Sequence, residues 1–486
     1  MMMTQERAFL KALQQFQAME TYVEQAGADE QRIDQVEREL FSQLLAIGLT
    51  LLEAFVAAAG DGDVGPTLET ADGRTVRRLK HAHMRRYLSI FGELMLRRRV
   101  YAEREKQQVE RAPLDERLGL PAGEFSYVLE DWLQRLCVKE SFHEATSDLR
   151  HLLGLSPSER AAEQMNQRMA EHAEAFGMQL AAPPPDEEGE IVVATGDGKG
   201  VPMRRPLEER VRRGPRRVKG EKANKKQMAY VGAVYTIDRF RRTAEQVVDE
   251  IARKERAADR PVPQHKQVWA EMTQVVEGQS CSGRGRLFAE MAIAAHDRDP
   301  THRKTLVCLM DGEAALWEVA GDWLPRAVGI LDLFHVLERL WHVAHVIHGE
   351  GTRAAEAFVA HHLRMLLEGK VGHVIGRLKR LRDEHGLRGS QRRTVTAAIG
   401  YYENNRAHMR YDKYLAAGYP IGSGVAEGAC RHVVKDRLEQ TGMRWTVTGA
   451  QAMLHLRAIY LNGRWNEFVD YRIHTEQTAL YRRSAA

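Results

Sequence analysis

A chain of 486 residues, 43% apolar and 7% aromatic, exceeds what one small core needs and belongs with soluble globular proteins of roughly two to four domains. Its formal net charge of +4, from 71 basic and 67 acidic residues, excludes a chain that holds a polyanion through overall charge, so where the charges lie matters more than their sum. The four cysteines, Cys137, Cys281, Cys308 and Cys430, form no CxxC pair and support neither a zinc ribbon nor a disulfide framework, which fits a reducing cytoplasm.

The amino terminus, Met1 to Arg7, lacks an apolar signal segment, and no run approaches the roughly 18 apolar residues of a membrane span. Up to residue 60, Phe9, Leu10, Leu13 and Phe16, then Leu40, Leu44, Leu45, Leu51, Leu52 and Phe55, recur at three-to-four spacing. They predict helices that stop at Gly60-Asp61-Gly62-Asp63. Residues 87–101 are rich in strand formers around Gly92-Glu93 and predict one or two strands of a small sheet. From Pro113 the chain turns helical again. In the helix after Ser141, Ala145, Leu149 and Leu152 share an apolar face; Gly154 breaks it, and Ser156-Pro157-Ser158-Glu159 restarts a helix with capping residues. This is the pattern of a helix-turn-helix whose second helix would enter a DNA major groove. An ordinary helical hairpin fits as well, because the second helix offers only Arg160 and Arg168 as cations.

Ala181 to Gly189 reads as a stiff polar linker. Beyond it, Ile191 to Thr195 form an apolar strand that runs into Gly196-Asp197-Gly198-Lys199-Gly200. A carboxylate at a strand mouth without bulky neighbours is a natural metal ligand, although an Asp-Gly turn gives the same pattern. Gly198-Lys199-Gly200 lacks the spacing of a phosphate-binding P-loop. The stretch Arg204–Lys226 holds eleven basic and three acidic residues, a local net charge of +8. It is either a solvated loop or a clamp on a polyanion. Residues 226–238 predict a buried strand. Thr305 to Met310 is another apolar strand, ending in Asp311-Gly312, and Ala327 to Leu331 a third, ending in Asp332. Residues 337–414 are almost entirely helical; His342, His345 and His348 within them suit solvent or phosphate better than zinc. A final helix carries Glu427 in its first turn, where a carboxylate also suits the helix dipole, and Lys435 farther along. Arg444-Trp445 could stack on an unpaired base, but Trp445 fits a core better.

Two carboxylates at neighbouring strand ends and one from a helix would repel one another unless divalent cations keep them ionised. Oxygen ligands suit Mg²⁺ or Mn²⁺. Two such ions roughly 3.5–4 Å apart support an in-line displacement at phosphorus, hence phosphodiester transfer.

Asp197 in ATGDGKGVP, Asp311 in LMDGEAALW, the LDLFHVLERLW segment and Glu427 in YPIGSGVAEGACRHVVKDRL together resemble DDE transposases of bacterial insertion sequences. The likeness is to the ISKra-type branch and, more distantly, to the ISL and Mutator-like groups. It covers residues 190–465 well and the preceding region more loosely. The resemblance implies an α+β, ribonuclease H-like domain: a mixed five-strand sheet with helices on both faces and an all-helical insertion. It also implies that Asp197, Asp311 and Glu427 are the catalytic, metal-binding acids of a two-ion Mg²⁺ or Mn²⁺ site. Asp332 and His335 match the Asp-x-x-His signature and take a supporting role; Asp332 also ends a strand and could replace Asp311 as second ligand. Residues 85–106 lack the cysteines that some family members carry there, so no zinc module is expected.

The resulting division is 1–110, helical with a small β element; 111–180, helix-turn-helix-like; 181–189, linker; 190–336, first part of the catalytic domain; 337–414, helical insertion; 415–486, last part and tail. The expected function is transposition: binding of terminal inverted repeats, metal-dependent cleavage and strand transfer, in the bacterial cytoplasm at the nucleoid. Double-stranded DNA and a second protomer are the expected partners. Lys199, Arg212, Arg213, Arg216, Arg217, Lys219, Lys222, Lys225, Lys226, Lys435, Arg444 and Trp445 are the candidate DNA contacts. The alternatives are a catalytically silent, domesticated DNA-binding protein and a metal-dependent structure-specific nuclease.

Overall fold

The structure, a computed structural model, describes residues 5–70, 72–105, 109–204, 226–253, 259–422 and 424–481. The protein is mixed α+β and divides into two compact units: Met1–His172 with Arg464–Ala486, and Ala173–Gly463.

In the first unit, helices Gln5–Ala28 and Ile33–Ala58 pack as a hairpin in which Ala8, Ala12, Ala26, Thr50 and Ala54 are buried. Ile33–Ala58 contains an 18-residue window of mean hydropathy 1.9, only 17% buried. Contrary to the expectation from uninterrupted apolar runs, one described helix is therefore long and apolar enough to cross a membrane. The reason lies in its polar interruptions, such as Ser42, Gln43 and Thr50, which carry no charge. The stretch rich in strand formers is an antiparallel pair, His83–Ser89 with Gly92–Arg98. A small three-stranded sheet stands beside it in sequence, built from Thr67–Glu69, Thr75–Arg78 and Tyr101–Ala102.

Three capped helices follow: Tyr127–Cys137, Phe142–Leu153 and Glu159–Ala170. Ser141 and Glu144 form a capping box, Gly154 takes the left-handed conformation at φ 70°, and the Ser158 hydroxyl accepts from Ala161 N–H. The helix, turn and helix expected from the sequence are thus present, but Leu152 is 57% exposed and the apolar face ends at Leu149.

The carboxy-terminal segment, expected in the catalytic domain, joins the first unit instead. Helix Trp465–Tyr481 carries the buried Arg472, which donates to the buried carboxylate of Glu130 and, at 2.6 Å, to Glu476. Trp465 Nε1 donates to Asp131 Oδ1 at 2.6 Å. Glu130 and Asp131 lie more than 300 residues away from these partners in sequence, beyond the reach of any local pattern.

The second unit is built on a five-stranded mixed sheet: β1 (Ile191–Pro202), β2 (Lys226–Ile237), β3 (Gln264–Met272), β4 (Thr305–Met310) and β5 (Val328–Leu331), in the order β5-β4-β1-β2-β3. β1, β2 and β3 are antiparallel neighbours, whereas β4 runs parallel to β1 and β5 parallel to β4. The sheet is covered on both faces, as its near-continuous apolar strands require. Val192 and Ala194 face α2 (Gly283–Arg298) and α3 (Ala314–Trp323), packing with Leu287, Phe288, Met291 and Leu316. Ile191 and Val193 face α1 (Ala244–Arg253) and a helical block: α4 (Leu333–His348), α5 (Arg353–Leu367), α6 (Val371–Glu384), α7 (Gly389–Asn404) and α8 (Tyr411–Ala417).

The last helices of this unit are α9 (424–438) and α10 (Val447–Leu461). Side chains of α10 and its carboxy-terminal cap serve the open edge of β3. The Gln451 amide accepts from Met272 N–H at 2.7 Å and donates to Ala270 C=O at 3.1 Å, and Asn462 brackets Val268 in the same way.

Breaking the Arg472–Glu130 pair leaves the buried Glu130 carboxylate only the partly exposed Arg168, 3.1 Å away. Arg472→Met should lower unfolding free energy by about 3–5 kcal/mol, read by denaturant titration, and adding Glu130→Gln should recover much of it.

Candidate active site

The register of the sheet sets three aspartates in one row. Gly196 of β1 pairs with Met310 of β4, and Met310 pairs with Leu331 of β5. Asp197, Asp311 and Asp332 are the next residues of these three neighbouring strands, which lie about 4.8 Å apart. Asp332 N–H continues the ladder to Met310 C=O at 2.8 Å. Asp332 also caps α4, where its Oδ1 accepts from Phe334 N–H at 2.8 Å. Asp311 Oδ1 accepts from Glu313 N–H at 3.0 Å, and Asp197 Oδ1 from Gly198 N–H at 2.6 Å.

The helical block ties the strand ends down. Tyr401 donates to Asp311 C=O at 2.5 Å, Tyr411 to Leu331 C=O at 2.8 Å and Tyr414 to Gly329 C=O at 3.1 Å. On the other side stands α9, which brings Glu427 and Cys430 one turn apart. Its middle, Cys430–Lys435, is π-helical, a form common at functional sites, and leaves Cys430, Val433, Val434 and Leu438 all buried.

Asp332, His335 and Glu427 each offer a ligand atom, and these atoms lie within 4.8 Å of one another. The sequence had made Glu427 a ligand and given Asp332 and His335 a supporting role. Asp197 and Asp311, the other two acids expected as ligands, fall outside this group and act on it through their charge. Burial pushes the Asp197 carboxyl up; a hydrogen bond with the Cys430 thiol opposes the rise, and the charge of Asp311 adds to it. Burial and then the charge of Asp332 raise Glu427. Glu313, beside Asp311, is raised by burial and then by that neighbour's charge.

His335 is the counterweight. Its Nδ1 lies 3.6 Å from Asp332 Oδ2, a charge contact rather than a hydrogen bond, and that buried nitrogen has no hydrogen-bond partner. The Asp332 carboxylate raises His335 to about 9 against the opposing effect of burial, and the charges of Asp311 and Asp197 help. One imidazolium faces four carboxylates, so the site has a deficit of positive charge. Several carboxylate oxygens around an unpaired ring nitrogen are a donor set that fits a hard or borderline divalent cation.

The candidate DNA contacts meet mixed fates. Trp445, a possible base-stacking residue, is instead buried: its Nε1 donates to Leu438 C=O at 3.1 Å and the Arg437 guanidinium lies 5.1 Å from its ring centre. Its backbone N–H bonds Pro202 C=O at 3.0 Å and its C=O accepts from Arg204 N–H at 2.7 Å, so it locks the end of β1 to the chain following α9. Lys199 and Lys226 both pair with Glu439, Lys199 at 4.0 Å. Lys435 and Arg444 are exposed. Arg212, Arg213, Arg216, Arg217, Lys219, Lys222 and Lys225 lie outside the described residues. Among the described residues, His342, His345 and His348 form no metal-binding group.

Compared with models of known protein families and with curated proteins, the chain matches none.

In metal-free protein, the His335 ring should titrate in NMR with a midpoint near 9, and Asp332→Asn should return it toward 6.5. Because the folded value is raised, the stability from this pair is complete below pH 6.5 and lost as pH rises through about 9. Added Mn²⁺ or Mg²⁺ should lower the midpoint; an unchanged titration would place the ion elsewhere. Trp445→Ala should cost about 3–5 kcal/mol of stability, the scale of a large buried aromatic, as measured by denaturant unfolding.

Proposed function

We propose that the second unit is the catalytic domain of a DNA transposase of the DDE type, ribonuclease H-like in fold. The observation that carries the reading is the row formed by Asp197, midway along β1, with Asp311 and Asp332 at the ends of β4 and β5, and Glu427 brought to Asp332 by α9. A mixed sheet with helices on both faces supports it, as does the helical block between the last strand and Glu427. That arrangement agrees with what the resemblance of the Asp197, Asp311, Asp332-x-x-His335 and Glu427 segments implies.

Asp197, Asp311 and Glu427, with Asp332 and His335, are the residues that would hold two Mg²⁺ or Mn²⁺ ions. Bound there, such ions supply activation of the attacking oxygen and stabilisation of the leaving oxygen at phosphorus. The protein supplies placement. The strand register spaces the aspartates, the tyrosine hydroxyls fix the strand-end carbonyls, and the Cys430 thiol orients the Asp197 carboxylate. His335 orients against Asp332 and offsets part of the negative charge. In this reading water first cleaves the element end, and the freed 3′-hydroxyl then attacks target DNA at the same acids. The capped helix, turn and helix of the first unit would contribute to recognition of the inverted repeats, on paired protomers.

Cleavage of a duplex bearing the native element ends, in Mg²⁺, tests the reading. Asp197→Asn, Asp311→Asn and Glu427→Gln should each reduce cleavage to background while leaving end binding within a few-fold of wild type. Full activity in any one removes that residue from the site. Asp332→Asn decides the second ligand: partial loss keeps Asp311 there, whereas complete loss with an active Asp311→Asn gives the place to Asp332.

A further inference from the structure

In the first unit, helices Gln5–Ala28 and Ile33–Ala58 each carry two stripes. On the first, Ala8, Ala12 and Ala26 are buried, and one residue farther on Phe9, Leu13, Phe16 and Val23 form a second stripe. On the other, Thr50 and Ala54 are buried, and again one residue on come Leu51 and Phe55, in line with Phe41 and Leu44. All eight large side chains are 45–60% exposed. The helices are antiparallel, with Lys11 Nζ 3.8 Å from Glu53. A step of one residue therefore turns them in opposite senses when viewed down one axis, and both stripes emerge on the same side of the hairpin.

Steps of four, three and seven in the first stripe, and of three, seven and four in the second, follow a heptad repeat. The place left open by Gly48 in the second stripe is filled from outside. The Phe91 ring lies so close that a Cβ on Gly48 would sit 2.5 Å from it, and Phe91 is itself 38% exposed.

We propose that this face is the docking surface for a second copy of the chain, two hairpins closing into a four-helix bundle. The exposed apolar area, on the order of 700–900 Å² when large side chains are half exposed, is close to the ~800 Å² per partner of a standard stable interface. A heptad stripe on each helix is self-complementary across a twofold axis, because equal spacings meet. Charge removes the competitors. Residues 5–58 contain four basic and nine acidic residues, a net charge of −5, which repels DNA phosphate and anionic lipid alike. Insertion into a bilayer would also pull Val56 out of its core with Leu94, Leu96 and Leu120.

The inference does not rest on the catalytic reading, and its test needs neither DNA nor metal. Sedimentation velocity of the full-length chain across the micromolar range should show a dimer. Leu13→Glu combined with Leu51→Glu should weaken it by at least roughly 100-fold, as expected for two central apolar contacts, with helicity unchanged and the melting temperature no longer dependent on protein concentration. If the charged pair misfolds, Leu13→Ser with Leu51→Ser keeps the test open, and a weakened dimer in a folded chain supports the proposal. A wild-type monomer throughout the range overturns it, as does a dimer that persists in both folded variants. A monomer that floats with zwitterionic lipid vesicles overturns it in favour of a membrane.

Discussion

Mutual repulsion among carboxylates that the backbone forces together is the constraint on which the second unit depends. Asp197, Asp311 and Asp332 follow directly on paired residues of three neighbouring strands, so their spacing is set by main-chain hydrogen bonds and cannot relax by rotamer changes alone. Glu427 is then brought to the same place by a helix. Burial first, and then the charges of neighbouring acids, raise the carboxyls of Asp197 and Glu427. In a metal-free state the cost of keeping them ionised is greatest above their raised values and disappears as they protonate. A fold that holds such an arrangement stores electrostatic free energy that only positive charge releases. His335 releases part of it, and a divalent cation would release the rest.

Much of the surrounding structure serves to keep the acids in place. The hydroxyls of Tyr401, Tyr411 and Tyr414 reach from the helical block to carbonyls at the ends of β4 and β5, and the apolar interior of that block is continuous with one face of the sheet. On the opposite flank the buried Trp445 and Arg437 join the end of β1 to the chain beyond α9. The strand carrying Asp197 and the helix carrying Glu427 are thereby tied through one residue, Trp445, whose main chain bonds the first and whose indole bonds the second. The helical block is better described as a brace for the acids than as an appendage.

The strands were legible as apolar runs, and Asp311 and Asp332 do end theirs, but the strand expected to stop at Asp197 continues to Pro202, because its glycine-rich second half still pairs with β2. The long helical stretch before Glu427 was legible from its period. What escaped were relations between distant residues. Arg472 gives no local sign that it will meet Glu130, so the last helix was assigned to the wrong unit. The burial of Trp445 was the reading its sequence favoured, but its partners Leu438, Pro202 and Arg204 were not legible. Lys199 and Lys226, read as DNA contacts, share the carboxylate of Glu439, a partner that no local pattern announces. The closeness of His335 to Asp332 was visible in the Asp-x-x-His spacing, but its approach to Glu427 depends on the path of α9. Periodicity likewise located the amino-terminal helices without saying that Phe9, Leu13, Leu51 and Phe55 face outward, because the residues that pack the hairpin are small alanines and a threonine.

The central claim is that the acid row is a cation site whose repulsion is relieved by binding. The most direct measurement is thermal unfolding of the metal-stripped full-length protein as Mn²⁺ is added at neutral pH. The melting temperature should climb steadily with ion concentration, as selective binding to the folded state requires, and the climb should vanish in an Asp197→Asn, Glu427→Gln double variant. A wild-type melting temperature that does not respond to Mn²⁺, or an equal response in the double variant, would contradict the account.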